Sequence, residues 1–249
     1  MEVRELMKRA LNILKWVFLG IYFPLMLSFV SVSSRSTICI DVNVVIRDSI
    51  EAGFVSAADI RSSILDKYPD LLGSPINKID FYKMESFVNE HTAIKTTQVY
   101  NTARGVLQVM VNQHQPIVRV FAPEGTYYLD LNGQRIPVSN RFTARVLVAN
   151  GHIPADKSDL VNVSRLIATD PFWNAQMEQI YIRRNNEYIL VPRVGEHWIL
   201  LGQPERVEQK LAKLKALYKQ GLDPLEWNEY QLINLKYENQ VICSRNRDL

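Results

Sequence analysis

The residues best suited to catalysis or metal binding are dispersed along this 249-residue sequence. The four histidines stand far apart: His91, His114, His152 and His197. None of them has a second histidine or a cysteine at the spacing that a metal site requires. Glu196 directly precedes His197, but adjacent residues of a strand point to opposite faces and do not work as a pair. The histidines therefore predict neither a catalytic residue nor a metal ligand.

Two aspartates, Asp156 and Asp159, lie three positions apart, where they share one face of a helix. They stand at a predicted helix start, so we interpret them as partners of the helix dipole and not as an acid–base pair. The sequence also lacks a Gly-x-Ser-x-Gly elbow, a Walker loop, a His-Glu-x-x-His motif and a dinucleotide-binding glycine motif. These absences make an enzyme less expected without excluding one, because a catalytic triad can be assembled from distant residues, and they predict no cofactor.

The formal net charge of +3 is confined to the first 35 residues. That segment holds five Lys and Arg against two Asp and Glu, whereas the remainder holds 24 residues of each sign. The body of the chain has no electrostatic reason to bind phosphate, which argues against a nucleic-acid partner. Two cysteines, Cys39 and Cys243, are too few for a disulfide framework or a four-cysteine zinc site.

An uncharged run covers residues 16–34. As a helix, it reaches across roughly the 30 Å hydrocarbon core of a bilayer. It predicts one transmembrane signal anchor behind a cytoplasmic tail, residues 1–15. A cleaved signal peptide is the alternative, with Ser31-Val32-Ser33 as a poor cleavage site.

Basic residues are more frequent before this run than after it. Four precede it and two follow closely: Arg4, Lys8, Arg9 and Lys15, then Arg35 and Arg47. This bias places the N-terminus in the cytoplasm and the bulk of the chain outside the cytoplasmic membrane.

The block at residues 37–115 predicts a small β-α-α-β-β domain. It opens with an alternating apolar run, typical of a half-buried strand: Ile38, Ile40, Val42 and Val44. Ser56 and Asp59 mark the start of a helix, and Tyr68-Pro69 marks its end. The block continues with a helix at 80–90 and strands at 94–100 and 106–111. We expect both helices to cover one face of a three-stranded sheet.

The block at residues 116–243 is richer in strands, and six residues, 244–249, follow it. Asn132-Gly133 between two β-rich runs predicts a hairpin with a type I′ turn. A strand at 145–149 is expected to end at Asn150-Gly151. Further strands are expected at 117–121, 179–183, 188–192, 198–201, 229–237 and 240–243.

Helices of this block are expected at 156–169 and 204–220. The residues expected on their buried faces are Leu160, Val163 and Ile167 in the first helix and Val207, Leu211, Leu214 and Tyr218 in the second. The second has Pro204 in its first turn and Gly221 as its cap. Its basic residues are interpreted as a solvated face: Arg206, Lys210, Lys213, Lys215 and Lys219. The fold class is therefore α+β: one transmembrane helix, a small β-α-α-β-β domain and a strand-rich mixed domain.

Four stretches of the chain resemble the bacterial FtsQ/DivIB cell-division family. Residues 46–56, with Ala52-Gly-Phe-Val-Ser56 before the helix, resemble the opening of that family's POTRA domain, and residues 111–120 resemble its junction. Residues 125–138 resemble the following hairpin, with an Asp-x-x-Gly and a terminal Pro-Val. Ile233-Asn-Leu-Lys-Tyr237 resembles the penultimate strand.

The resemblance implies a non-enzymatic scaffold of the division complex, located in the bacterial inner membrane at the septum with its bulk in the periplasm. It implies a POTRA-like domain at 37–115 that contacts other division proteins. It also implies that the β domain, residues 116–243, binds the FtsB–FtsL pair.

The binding site is expected at the C-terminal edge of the β domain, because an edge strand offers unpaired backbone groups to a partner strand. Backbone pairing would supply affinity, and alternate side chains would supply specificity. The residues expected to take part are Leu235, packed beneath the edge, with Tyr237, Asn239, Gln240, Val241, Ile242 and Cys243. In the competing interpretation, the domain itself covers this strand.

Two other function classes stay open. One is another POTRA-type envelope assembly protein, although no second POTRA-like block or series of barrel segments is present. The other is a membrane-anchored extracytoplasmic hydrolase, which would need a cleft with converging polar groups.

Overall fold

The structure is a computed structural model that describes residues 14–26, 37–47, 53–222 and 224–245. These residues form two units. The N-terminal unit comprises residues up to 47, 56–91 and 96–112. The C-terminal unit comprises residues 48–55, 92–95 and everything from Gln113 onward.

Helix α1 covers residues 14–26. The predicted anchor at 16–34 therefore lies partly outside the described residues. In the described part of the chain, no helix is both long enough and apolar enough to cross a membrane. All thirteen residues of α1 are exposed, including Trp16, Phe18 and Phe23.

The first sheet has three strands in the order β1-β3-β2, with β1 parallel to β3. In chain order, the elements around it are β1 (Asp41–Ile46), α2 (Ala57–Lys67), a 3₁₀ turn (Ile76–Lys78), α3 (Phe81–Asn89), β2 (Ile94–Asn101) and β3 (Val106–Gln113). This is the predicted β-α-α-β-β order. The predicted helix start is confirmed too, since Ser56 Oγ accepts a hydrogen bond from the Asp59 amide at 3.1 Å.

The predicted alternation of buried and exposed residues in the first strand is wrong at its start. Val42 and Val44 are buried as expected, but Ile38 and Ile40 are exposed and Cys39 is fully buried. The alternation breaks between Ile40 and Asp41, where β1 begins. Backbone bonds explain the break, because residues 37–39 pair with the segment at 73–76, whereas from Ile40 onward the chain bonds to Gly105 and β3.

The second sheet has nine strands in the order β12-β11-β10-β9-β8-β7-β4-β5-β6. Their bounds are β4 (Pro116–Ala122), β5 (Gly125–Asp130), β6 (Arg135–Pro137), β7 (Leu147–Gly151), β8 (Met177–Ile182), β9 (Tyr188–Pro192), β10 (Trp198–Gly202), β11 (Tyr230–Asn234) and β12 (Ile242–Arg245). Strands β7 and β11 run parallel to β4 and β10, respectively, and β12 runs antiparallel to β11.

The helices of the C-terminal unit bury their apolar faces against this sheet. They are α4 (Ser158–Thr169), α5 (Pro171–Gln176) and α6 (Val207–Ala216), followed by a π-helical turn (Leu217–Gly221) and a 3₁₀ turn (Pro224–Glu229). Leu160, Val163 and Ile167 of α4 are fully buried in the main core, as predicted. Strand residues Ile180, Ile199 and Ile233 complete this core.

The other side of the sheet carries a smaller cluster around Phe54. This ring makes edge contacts with Tyr128 and Phe142, at centroid distances of 5.3 and 5.2 Å. The Gln113 side-chain oxygen accepts the amides of both Phe54 and Val55. Residues 53–55 therefore pack within the C-terminal unit, although they precede α2 in sequence.

The predicted type I′ turn at Asn132-Gly133 is wrong, although the hairpin itself forms. Gly133 has φ +79°, but Asn132 is not in the left-handed region. The loop is a three-residue one, closed by Gly133 N to Asp130 O and Asp130 N to Gln134 O. Asp130 accounts for the difference, because its Oδ1 also accepts the amides of Asn132 and Gln134.

Strand β7 begins two residues later than predicted and includes Asn150-Gly151, which the sequence placed in a turn. Gly151 has φ +90°, and a Cβ there would lie 2.3 Å from the Ile182 carbonyl oxygen. The pair therefore ends the ladder with β8 and does not reverse the chain.

Helix α6 is shorter than predicted at both ends. It begins at Val207, so Pro204 lies outside it, and Arg206 precedes it at φ +51°. It widens into the π-helical turn at its end, and Gly221 is not in the left-handed region. The predicted apolar face is confirmed, because Val207, Leu211, Leu214 and Tyr218 are all buried.

Candidate protein-binding edge

Strand β12 is the last strand of the nine-stranded sheet and pairs with β11 alone. The register places Cys243 opposite Ile233 and Ile242 opposite Asn234. Among the residues that the structure describes, no second strand pairs with β12, so its outer edge offers a template for another strand. The strand starts two residues later than predicted and extends to Ser244 and Arg245, past the predicted end at Cys243.

The predicted binding residues fall into three places. Leu235 is fully buried in the main core, as expected of a residue beneath the edge. Val241 and Cys243 are half-buried against the same core, whereas Ile242 is 41% exposed on the opposite side. Tyr237, Asn239 and Gln240 are exposed in the connection between β11 and β12, because β11 ends at Asn234 and does not continue to Tyr237.

This connection, residues 235–240, is held by side chains from α6. Lys213 Nζ donates to the carbonyl oxygens of Tyr237 and Glu238, at 2.5 and 3.0 Å. Arg206 forms an ion pair with the Glu238 carboxylate. The solvated face predicted for the basic residues of α6 is confirmed in part, since Arg206 and Lys219 are exposed. Arg206 and Lys213 also hold the chain that leads into β12, which the prediction did not include.

Two other lysines of α6 have similar structural roles. Lys210 Nζ donates to the carbonyl oxygens of Leu201 and Gln203 at the end of β10. Lys215 Nζ lies 2.7 Å from Asp170 Oδ2, the carboxylate that caps α5. A shared helix face could have been recognised from the sequence, because four and then three positions separate Arg206, Lys210 and Lys213.

A groove of about 380 Å³ lies between α6 and the connection. Its lining includes four cationic side chains and one anionic one: Arg206, Lys210, Lys213, Lys236 and Glu238. Burial lowers the pKa of Lys210; the charge of Glu205 opposes this shift, and those of the neighbouring cations add to it. Glu238 and Glu187 are paired with two of the four cations, Arg206 and Lys236, so Lys210 and Lys213 supply the excess positive charge of the groove.

Lys236 is fixed from the neighbouring hairpin. Its Nζ lies 2.6 Å from Glu187 Oε1, and Arg183 Nη1 lies 3.2 Å from Glu187 Oε2. The hydrogen bond from Lys236 holds the pKa of Glu187 below its ordinary value, so the carboxylate stays charged at neutral pH. Sequence reasoning missed this pair, since 49 residues separate its members.

Strand β6, at the opposite edge, is less suited to pairing. It has three residues, Arg135–Pro137, and its proline has no amide hydrogen to donate. Strand β12 has four residues and no proline. Of the two edges, β12 is therefore the one that can accept a partner strand.

The thiol of Cys243 is unpaired, and burial raises its pKa. Cys39 is also a free thiol, and burial raises its pKa as well. Both thiols are therefore protonated at neutral pH and are poor nucleophiles. Within the described ranges, no group of three or more His, Cys, Asp or Glu side chains is arranged to hold a metal ion.

Comparison with known proteins agrees with these two folds. Residues 115–244 match the family model described as FtsQ/DivIB, C-terminal related, and residues 37–112 match that of a POTRA-like domain. No curated protein matches the sequence. The first of these matches covers more than half of the chain, including β12 and the connection before it. The chain therefore belongs to the FtsQ/DivIB family of division-site proteins.

Proposed function

We propose that this protein is a bitopic membrane scaffold of the bacterial division complex and that it captures a strand of an FtsB-type partner on β12. The partner's FtsL-like companion would be recruited with it, which links the scaffold to septal-wall synthesis. The single observation that carries the proposal is the position of β12 at the end of the sheet, with one neighbour and no proline.

Family membership supports a non-enzymatic role, since FtsQ/DivIB proteins act as scaffolds at the division site. The POTRA-like domain supports contacts with further division proteins. Helix α1 supports the membrane anchor, because ten large apolar side chains between Leu14 and Met26 are exposed all around it. In water, exposure of these apolar side chains would be unfavourable, whereas in the hydrocarbon of a bilayer they are solvated by lipid. The N-terminus would then be cytoplasmic, and the chain from residue 37 onward would be periplasmic.

The edge of the sheet also suggests how affinity and specificity are divided. A partner strand would add its backbone bonds to β12, while Ile242 on one side and the basic groove on the other would select its side chains. We expect the partner strand to carry a hydrophobic side chain that contacts Ile242 and an acidic side chain that contacts the basic groove. Lys210 and Lys213, whose Nζ atoms donate to carbonyl oxygens, supply the charge on this side.

The test compares two aspartate substitutions at opposite edges of the sheet. Ile242 and Val138 are both β-branched and have similar exposed fractions, 41% and 44%. The full chain in detergent, as wild type, Ile242→Asp and Val138→Asp, is titrated with the cognate FtsB–FtsL pair, and circular dichroism verifies the fold of each variant. We expect at least a tenfold loss of affinity for Ile242→Asp, since a buried unpaired carboxylate is costly, and little change for Val138→Asp.

Two results would contradict the proposal. Equal binding by Ile242→Asp and the wild type would move the site away from β12. Failure of the folded wild-type chain to bind the pair would remove the scaffold role itself.

A further inference from the structure

The exposed isoleucines at the start of the N-terminal unit form a surface that none of the elements described so far explains. Ile38 and Ile40 are 47% and 57% exposed and lie on the side opposite the fully buried Cys39. Leu72, in the adjacent segment, is 45% exposed. Two segments joined by backbone hydrogen bonds thus expose three large aliphatic side chains, here called the entry patch: Ile38, Ile40 and Leu72.

The backbone around the entry patch is tightly fixed. Cys39 N donates to Ser74 O at 2.9 Å, and Gly73 N donates to Cys39 O at 2.7 Å. On the other side, Ile40 N donates to Gly105 O at 2.9 Å. Gly105 has φ +82°, and a Cβ there would lie 2.2 Å from Ile38 O, so only glycine permits this approach. The isoleucines are therefore displayed by a bonded scaffold.

Basic residues flank the entry patch. Lys78 is exposed at the end of the 3₁₀ turn. This turn is bonded to the chain before Ile38, because the amide of Ile76 donates to Thr37 O at 3.0 Å. Arg104, next to Gly105, is exposed as well. Three carboxylates lie nearby: Asp41 is held by Arg61 at 2.9 Å, Asp80 is held by Lys83 at 3.3 Å, and Asp70 is exposed beside Lys78. Exposed aliphatic side chains flanked by lysine and arginine are typical of surfaces that lie in the headgroup layer of a membrane.

The short distance along the chain from the uncharged run to Ile38 indicates that the membrane surface contacts the entry patch. The uncharged run ends at residue 34, four residues before Ile38. Even fully extended, four residues span at most about 14 Å. The headgroup layer on each side of a bilayer is about 5–8 Å thick. If the run spans the bilayer, Ile38 must lie within or just above that layer.

We propose that the entry patch rests on the outer surface of the cytoplasmic membrane, with Ile38, Ile40 and Leu72 among the headgroups and Lys78 and Arg104 against anionic lipid. This inference rests on the membrane anchor of the proposed function. The contact fixes which end of the N-terminal unit faces the bilayer.

Photocrosslinking on the full chain tests the contact. The chain is reconstituted into vesicles of phosphatidylethanolamine and phosphatidylglycerol, and flotation measures anchoring. p-Benzoylphenylalanine replaces Ile40 or, as the matched control, Val45, and mass spectrometry measures the lipid adduct after illumination. Val45 is an exposed β1 residue, 37% accessible, about 16 Å farther along the chain.

The outcomes separate the two proposals. We expect flotation of both variants and a several-fold larger lipid adduct at position 40 than at position 45. Lys78→Gln combined with Arg104→Gln should lower the adduct at position 40 in these vesicles, but not in vesicles of phosphatidylcholine alone. Flotation with equal adducts, or with an adduct to protein only, would overturn the entry-patch contact and leave the anchor intact. Failure to float would overturn both.

Discussion

The Nε2 atom of His197 lies 2.6 Å from the hydroxyl oxygen of Tyr218, and both side chains are buried. Trp227, in the 3₁₀ turn that precedes β11, packs on both rings, at centroid distances of 6.4 and 4.8 Å. This aromatic cluster joins the start of β10, the turn after α6 and the approach to β11. It therefore supports the strands on which β12 is built.

The cluster predicts a pH-dependent stability. Burial lowers the pKa of His197, whereas the unfolded chain has the ordinary value of about 6.5. Below that value the unfolded state binds the proton more readily, so the free energy of unfolding should fall as the pH drops from about 6.5 toward the lowered pKa. Urea unfolding of residues 37–249 at pH 7.5 and 5.5 measures this difference.

The matched variants are His197→Phe and His152→Phe. His152 is exposed, so its replacement should leave the pH dependence nearly unchanged. His197→Phe should reduce the difference between the two pH values, whatever its effect on stability at pH 7.5. An unchanged difference in His197→Phe would show that another group is responsible.

A second prediction concerns the connection before β12. Lys213 Nζ donates to two of its carbonyl oxygens, whereas Lys219 Nζ lies over the Phe172 ring, 5.9 Å from its centroid. Lys213→Met should therefore speed amide hydrogen exchange in residues 235–241 severalfold, while Lys219→Met should not, because only the first removes bonds to that backbone. Mass-spectrometric hydrogen exchange measures both. Equal exchange in the two variants would mean that the connection is held by its remaining contacts.

The periodic elements could be predicted from sequence, because burial on one face imposes a pattern. The face of α6 and the start of α2 are examples, and both are present in the structure. The errors arise where one side chain or one tertiary bond decides the backbone. The Asp130 carboxylate converts the expected type I′ turn into a three-residue loop, and pairing with residues 73–76 reverses the exposure of Ile38 and Cys39.

The sequence predicts where the candidate edge strand lies, but not the side-chain contacts that hold it. The position of a last strand follows from sequence order and from the resemblance to a family. The Lys236–Glu187 pair and the Lys213 contacts depend on how distant strands are brought together, and no local pattern encodes that. Strand β12 lies two residues later than predicted, because the exposed connection continues through Gln240 and the ladder with β11 extends to Arg245.

The third prediction tests the carboxylate in the β5–β6 loop. Asp130 is buried; its Oδ1 accepts the amides of Asn132 and Gln134, and its Oδ2 lies 2.8 Å from His114 Nδ1. Asp130→Ala leaves these donors without an acceptor, so we expect a loss of about 3 kcal/mol in the free energy of unfolding. Asp130→Asn keeps an acceptor for the loop and should cost less. Chemical denaturation of residues 37–249 ranks the variants, and an equal cost for both would assign the whole effect to the contact with His114.

The last prediction tests whether residues 53–55 are part of the C-terminal unit. Phe54 is buried between the rings of Tyr128 and Phe142, so its removal leaves a cavity as well as losing buried surface. Phe54→Ala should cost about 3 kcal/mol, whereas Phe121→Ala, at a ring 43% exposed in the same unit, should cost less than about 1 kcal/mol. A truncation tests the same point. A fragment that starts at Gln113 lacks Phe54 altogether, so its sheet should melt at a lower temperature than the C-terminal unit does within the longer fragment, residues 37–249. Thermal unfolding followed by tryptophan fluorescence reports on this unit, because Trp173, Trp198 and Trp227 all lie in it. Equal melting temperatures would show that the sheet does not depend on residues 53–55, and that the unit begins at Gln113.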